Sequence, residues 1–264
     1  MMRPDILKRR SDNLEAVFGS FEINATIKQV NVPEHIAHGN SQIVYGSPPS
    51  LGKVRPTTND EAHRCWWHSI KSLLAMGIEN NIEIMVLINS GCLFHKKFEY
   101  IFKKQLNQLK DDWNIWFLGN KNVKDKHNTR NQKFNYTDYT TIYSDVPKDD
   151  RIAEHHWNKY GINEHRAGEV SVICTSNITN NYSFVVHRRI YELIIQELEI
   201  FEHSTRSGYS GSRDLVLEKI LRIIPTDSSY VSSPDIVIPD VFRYNTKSSG
   251  LILQKFGWNA SMFI

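Results

Sequence analysis

The chain has 264 residues, 40% of them hydrophobic and 23% charged, and 32 Lys and Arg against 29 Asp and Glu leave a net charge of +3. It is long enough to bury a substantial core. A balance this near neutral argues for a solvated surface over a polyanion partner, and no apolar run reaches the roughly 18–20 residues of a membrane span.

The opening MMRPDILKRRSD is charged and lacks the apolar stretch of a secretory signal, so a cytoplasmic setting is expected. On that basis the sequons at Asn24, Asn135, Asn177, Asn181 and Asn259 read as chance. Cys65, Cys92 and Cys174 are too few and too scattered for a disulfide framework or metal spacing. Ile6-Leu7 is a minimal strand, followed at once by Lys8, Arg9 and Arg10. Ser11 or Asp12 can cap a helix whose apolar face is Leu14, Val17, Phe18 and Phe21. Arg9 and Arg10 beside a helix start fit a bound phosphate or a solvated turn equally well.

Residues 31–60 carry little periodicity and read as a long ordered loop, rich in turn residues from Ser47 to Gly52. A helix is predicted over 59–81. Asn59 or Asp60 caps it, Glu61 lies in its first turn, and Gly77 is its expected stop. Trp66, Trp67, Ile70, Leu73, Leu74 and Met76 supply its apolar face. His63 and His68 on this helix are five apart, so they do not share a face as a metal pair.

The stretch 84–119 reads as strand, tight turn, amphipathic helix and second strand, an α/β unit whose two strands are expected to be neighbours. Met85 to Ile88 is apolar and ends at Asn89-Ser90-Gly91. From Phe94, apolar residues recur at helical spacing, at Phe98, Ile101, Phe102, Leu106 and Leu109, and Trp113 to Leu118 is apolar again. Ligands of α/β sheets bind where strands end, which points to Asn89 and Ser90. Residues 120–150 are polar and read as a mobile loop in a single domain spanning 1–264. Glu154-His155-His156-Trp157 and His165 do not give metal spacing, because adjacent histidines point apart.

Strands are predicted over 168–175 and 183–186, a helix from Arg188 to about Glu202, and a helix from Asp214 to Ile224. Ser207 to Ser212 is Gly/Ser-rich but lacks a phosphate-loop pattern. Ile236-Val237-Ile238, set between prolines, reads as a short edge strand, and the tail carries Phe256-Gly257-Trp258.

Four segments together resemble glycosyltransferase family 25, the lipopolysaccharide and procollagen galactosyltransferase type. Leu7 to Asn13 is similar to the family's Leu-Asp-Arg-Arg-Pro-Asp-Arg turn, and Glu61 with Trp67-His68 to its Gly-Glu-x-Gly-Cys-x-x-Ser-His. Asp112 to Gly119 is similar to Asp-Trp-Asp-Ile-Leu-Tyr-Leu-Gly. Tyr182 to Tyr191, followed by Asp214, is similar to Ala-Tyr-x-Ile-Ser-Arg and a later aspartate.

The resemblance implies a GT-A fold, a Rossmann-like mixed sheet flanked by helices. It also implies a nucleotide-sugar donor, a UDP-sugar by preference, and a glycan or lipid-linked saccharide acceptor. In that frame Arg9, Arg10, Glu61, Asn89, Ser90 and Arg188 are the expected donor-binding residues, Asp214 the expected base, and His68 a group that orients its neighbours. The family's acidic metal-binding motif is replaced by Asn89, Ser90 and Gly91, so a divalent metal is not expected. Two other readings stand beside this one. One is a catalytically inactive relative that binds a glycan, nucleotide or protein. The other is a basic protein that binds nucleic acid.

Overall fold

A computed structural model describes residues 59–88, 92–119, 133–164, 166–177, 182–206, 214–239 and 262–263; the side chains of 59–66, 202–206 and 214–215 lie outside that description. In chain order the elements begin with helix α1 (Asn59–Glu79), strands β1 (Ile84–Ile88) and β2 (Cys92–Phe94), helix α2 (Phe98–Leu106) and strand β3 (Ile115–Phe117). Helices α3 (Tyr136–Ile142) and α4 (Asp150–His156) follow, the latter running into a π turn at Trp157–Gly161. Strands β4 (Ser171–Cys174) and β5 (Ser183–His187) lead to a 3-10 turn at Arg188–Ile190. Helices α5 (Tyr191–Arg206) and α6 (Asp214–Ile223) and strands β6 (Ser229–Ser233) and β7 (Val237–Pro239) complete the described order.

The chain is α/β, with a mixed five-stranded sheet in the order β1-β5-β3-β6-β4. β3 runs parallel to β6, and β4 antiparallel to it. A separate ribbon pairs β2 with β7 antiparallel. The two strands of the 84–119 unit are therefore not neighbours, because β5 lies between them in the order. After β1 the chain does not turn straight into a helix. It first runs through β2, whose ladder with β7 is a separate ribbon, and reaches α2 only at Phe98. No helix of the described residues is long and apolar enough to cross a membrane.

Packing divides the chain into two compact units, 1–90 with 186–223 and 91–185 with 224–264. In the first, Trp67, Ile70 and Leu74 of α1 are buried at helical spacing. Gly77 does not end this helix. A Cβ there would lie 2.7 Å from Met85 Sδ and 3.0 Å from Tyr191 Cε2, so the missing side chain is what lets α1 sit close to both. The helix stops instead with a Schellman motif: the Ile82 N–H bonds the Gly77 carbonyl, the Asn81 N–H bonds that of Ile78, and Asn81 takes φ 55°. On α5, Tyr191, Ile194 and Leu198 are buried while Leu193 is half-buried. Lys219 of α6 pairs with Glu197 of α5 at 2.6 Å.

In the second unit, every residue from Trp113 to Gly119 is buried. α2 buries Phe98, Ile101, Phe102 and, against the apolar pattern, Gln105, while Leu106 and Leu109 stay half-buried. The amide explains the exchange. Gln105 Nε2 donates to the Ser171 carbonyl at 2.9 Å, and Gln108 exchanges bonds with Val170 and Val172, so two side-chain amides cover the start of edge strand β4. The stretch expected as a mobile loop is ordered from residue 133 onward. Helix α3 is capped by Asn135, and Tyr139, Ile142, Tyr143 and Val146 are buried at a helical period; residues 120–132 lie outside the described residues. The predicted strand at 236–238 forms as β7 in the β2 ribbon.

Candidate functional site

A crevice of about 560 Å³ opens in the first unit where α1 ends and α5 begins. Ile78 and Asn81 line it from the end of α1, and Glu83 from the segment before β1. His187 comes from the last residue of β5, Arg188 and Arg189 from the 3-10 turn, and Glu192 from the first turn of α5. Strand, turn and helix meet here because the Arg188 N–H bonds the Glu83 carbonyl at 2.7 Å, tying the end of β5 to the approach to β1.

The side chains are arranged in opposed charges. Arg188 donates through Nη1 to Asn81 Oδ1 at 2.8 Å and through Nη2 to the Ile78 carbonyl at 3.5 Å, so part of its fork holds the Schellman turn. His187 Nδ1 accepts the Arg189 N–H at 3.3 Å, which assigns the ring proton to Nε2. That Nε2 lies 3.5 Å from Glu83 Oε1. Burial, then the charge of Arg189, lowers the His187 pKa below the ordinary 6.5, with Glu83 opposing. The imidazole is therefore neutral near pH 7 and presents a donor to the crevice.

Of the residues expected from the sequence, Arg188 is the one with a described side chain that lines this crevice. His68 is half-buried in the middle of α1, where its carbonyl accepts the Ser72 hydroxyl, and it does not line the crevice. Glu61 and Asp214 lie on α1 and at the start of α6, with side chains outside the described residues. Arg9, Arg10, Asn89, Ser90 and His165 are likewise outside them. Asn81, Glu83 and Glu192 carried no motif that would have marked them. The doublet Asn80-Asn81 after a helical run was the available sign, since Asn tolerates the left-handed position that closes a helix.

The polar clusters described in the second unit are bonded within that unit. The buried Asp138 carboxylate accepts from Tyr100 Oη and Lys104 Nζ, each at 2.6 Å, and from the Val170 N–H at 2.9 Å. His156 Nδ1 lies 3.1 Å from Tyr139 Oη, and Arg166 grips Asp145 through both Nη atoms. Among the described residues no group of three or more His, Cys, Asp and Glu gathers as a metal would require. Compared with family models, with curated proteins and with solved structures, the chain matches none.

Proposed function

We propose that the chain is a glycosyltransferase that holds a nucleotide-sugar donor in the His187–Glu192 crevice and places side-chain cations beside the donor diphosphate. The observation that carries this reading is the position of Arg188 and Arg189. They stand at the crevice end of β5, on the segment whose sequence resembles the Ser-Arg motif of sugar transferases. The helices and mixed five-stranded sheet put the chain in the α/β class, to which the GT-A architecture implied by that resemblance belongs.

The chemistry needs positive charge at the leaving group, because the diphosphate gains charge as its bond to the sugar breaks. Guanidinium forks suit phosphate oxygens. Asn81 and Glu192 on the same crevice offer acceptors for sugar or ribose hydroxyls. Asn89 and Ser90 supply only neutral oxygens, a donor set that does not fit a hard divalent ion. Asp214 remains the assigned base for an acceptor hydroxyl in an inverting transfer.

The test is UDP and UDP-sugar binding followed by thermal stability in the presence of EDTA, with UDP release measured on adding saccharide acceptors. At a hundredfold excess over Kd, UDP should stabilise the fold by about 2.7 kcal/mol, a shift of several degrees. A midpoint that no nucleotide moves would remove the reading. A second reading, a binding protein without turnover, is favoured by the bonds Arg188 already makes to Asn81 and Ile78. It predicts the same stabilisation with no UDP released.

A further inference from the structure

We propose that Glu83 is a built-in stand-in for the ligand's anion: its carboxylate holds the position on His187 that a phosphate oxygen of a bound phosphate ester takes. The inference rests on the donor-site reading for the class of ligand, and not on the transfer chemistry.

The geometry is asymmetric in a telling way. His187 is fixed, its side chain only 13% exposed and its Nδ1 held by the Arg189 N–H. Glu83 is an arm in solvent, with 77% of its side chain exposed. The 3.5 Å between His187 Nε2 and Glu83 Oε1 is longer than a charge-assisted hydrogen bond, so the contact is weak and the carboxylate is cheaply displaced. Arg189, two residues on, is near enough for its charge to lower the His187 pKa, so an oxygen that replaces the carboxylate gains the imidazole donor and lies near a cation. A crevice of about 560 Å³ has room for a diphosphate.

The arrangement fixes two directions of change. Removing the Glu83 charge removes a competitor, so anions bind more tightly. Lowering the pH charges His187, and a bound phosphate favours that imidazolium, so anions bind more tightly as the pH falls below 6.5. Among the described residues, the charged groups that line the crevice with His187 are Glu83 from the segment before β1, Arg188 and Arg189 from the 3-10 turn, and Glu192 from α5; α1 contributes Ile78 and Asn81, which do not titrate.

The experiment is calorimetric titration of inorganic pyrophosphate into the full chain without divalent metal, at pH 7.5 and 5.5. The variants are Glu83→Gln and His187→Gln. Glu83→Gln should bind about threefold more tightly or better. His187→Gln should bind more weakly and lose the part of the pH dependence that exceeds the titration of pyrophosphate itself. The proposal is overturned if Glu83→Gln binds equally or more weakly, or if no variant binds pyrophosphate. Because Glu83 is exposed, its variant keeps the test alive should His187→Gln not fold. If this pattern holds while no nucleotide sugar is turned over, the transferase reading fails and the stand-in role remains.

Discussion

His95 is 1% exposed, its Nδ1 accepts the Lys97 N–H at 2.9 Å, and its Nε2 meets no hydrogen-bond partner among the described residues. Burial, with the charge of Lys97 adding to it, pushes its pKa down from 6.5 to about 4. The unfolded chain therefore takes up a proton below pH 6.5 that the folded chain refuses until about pH 4. Stability from this site is complete above 6.5 and is lost between 6.5 and 4, by roughly 3 kcal/mol in all. Urea titrations across that range should show the loss, and His95→Asn should flatten it relative to the parent chain. A second residue is decided by space. A Cβ on Gly119 would collide with the Val237 carbonyl and lie 2.7 Å from Tyr182 Oη. Backbone cannot yield as a side-chain tip can, so Gly119→Ala should cost about 3 kcal/mol in denaturant unfolding. Neither residue was marked in the sequence. Gly119 read there as the end of a strand, and nothing around His95 announces that its ring is buried.

At the scale of elements, periodicity was legible wherever apolar residues do the packing. The 3.6 spacing of Trp67, Ile70 and Leu74 predicted α1, and the run from Trp113 to Leu118 predicted β3. What stayed hidden was packed by polar side chains. β6 is Ser-Tyr-Val-Ser-Ser, with no apolar alternation. Its Ser232 hydroxyl accepts the Trp116 indole N–H at 2.9 Å, and its Ser229 hydroxyl bonds the Thr175 carbonyl. These bonds satisfy groups that burial would otherwise penalise. α3 was hidden for another reason, since the polarity of 120–150 as a whole masked the spacing of Tyr139, Ile142, Tyr143 and Val146. Its start depends on Asn135 Oδ1 accepting the Asp138 N–H at 3.0 Å. Asn135→Ala should cost about 1 kcal/mol, read as a lowered urea midpoint, and Asn135→Ser should recover most of it.

For the whole molecule, the α/β class followed from the 84–119 unit, but the strand order did not. β2 departs to form its own ribbon with β7, and the pairing of β5 depends on contacts distant in sequence. Of the residues that line the crevice, Arg188 had been singled out in the sequence, through the resemblance of its segment to a Ser-Arg motif. Asn81, Glu83 and Glu192 reach the same crevice from segments that only the fold brings together. The proposed function stands or falls on whether a nucleotide sugar occupies that crevice. Hydrogen exchange with and without saturating UDP-sugar, in EDTA, tests this most directly. The account predicts slowed exchange over 78–83 and 187–192 and little change around α3 and α4. Unchanged exchange at 78–83 and 187–192, or protection confined to α3 and α4, would contradict it.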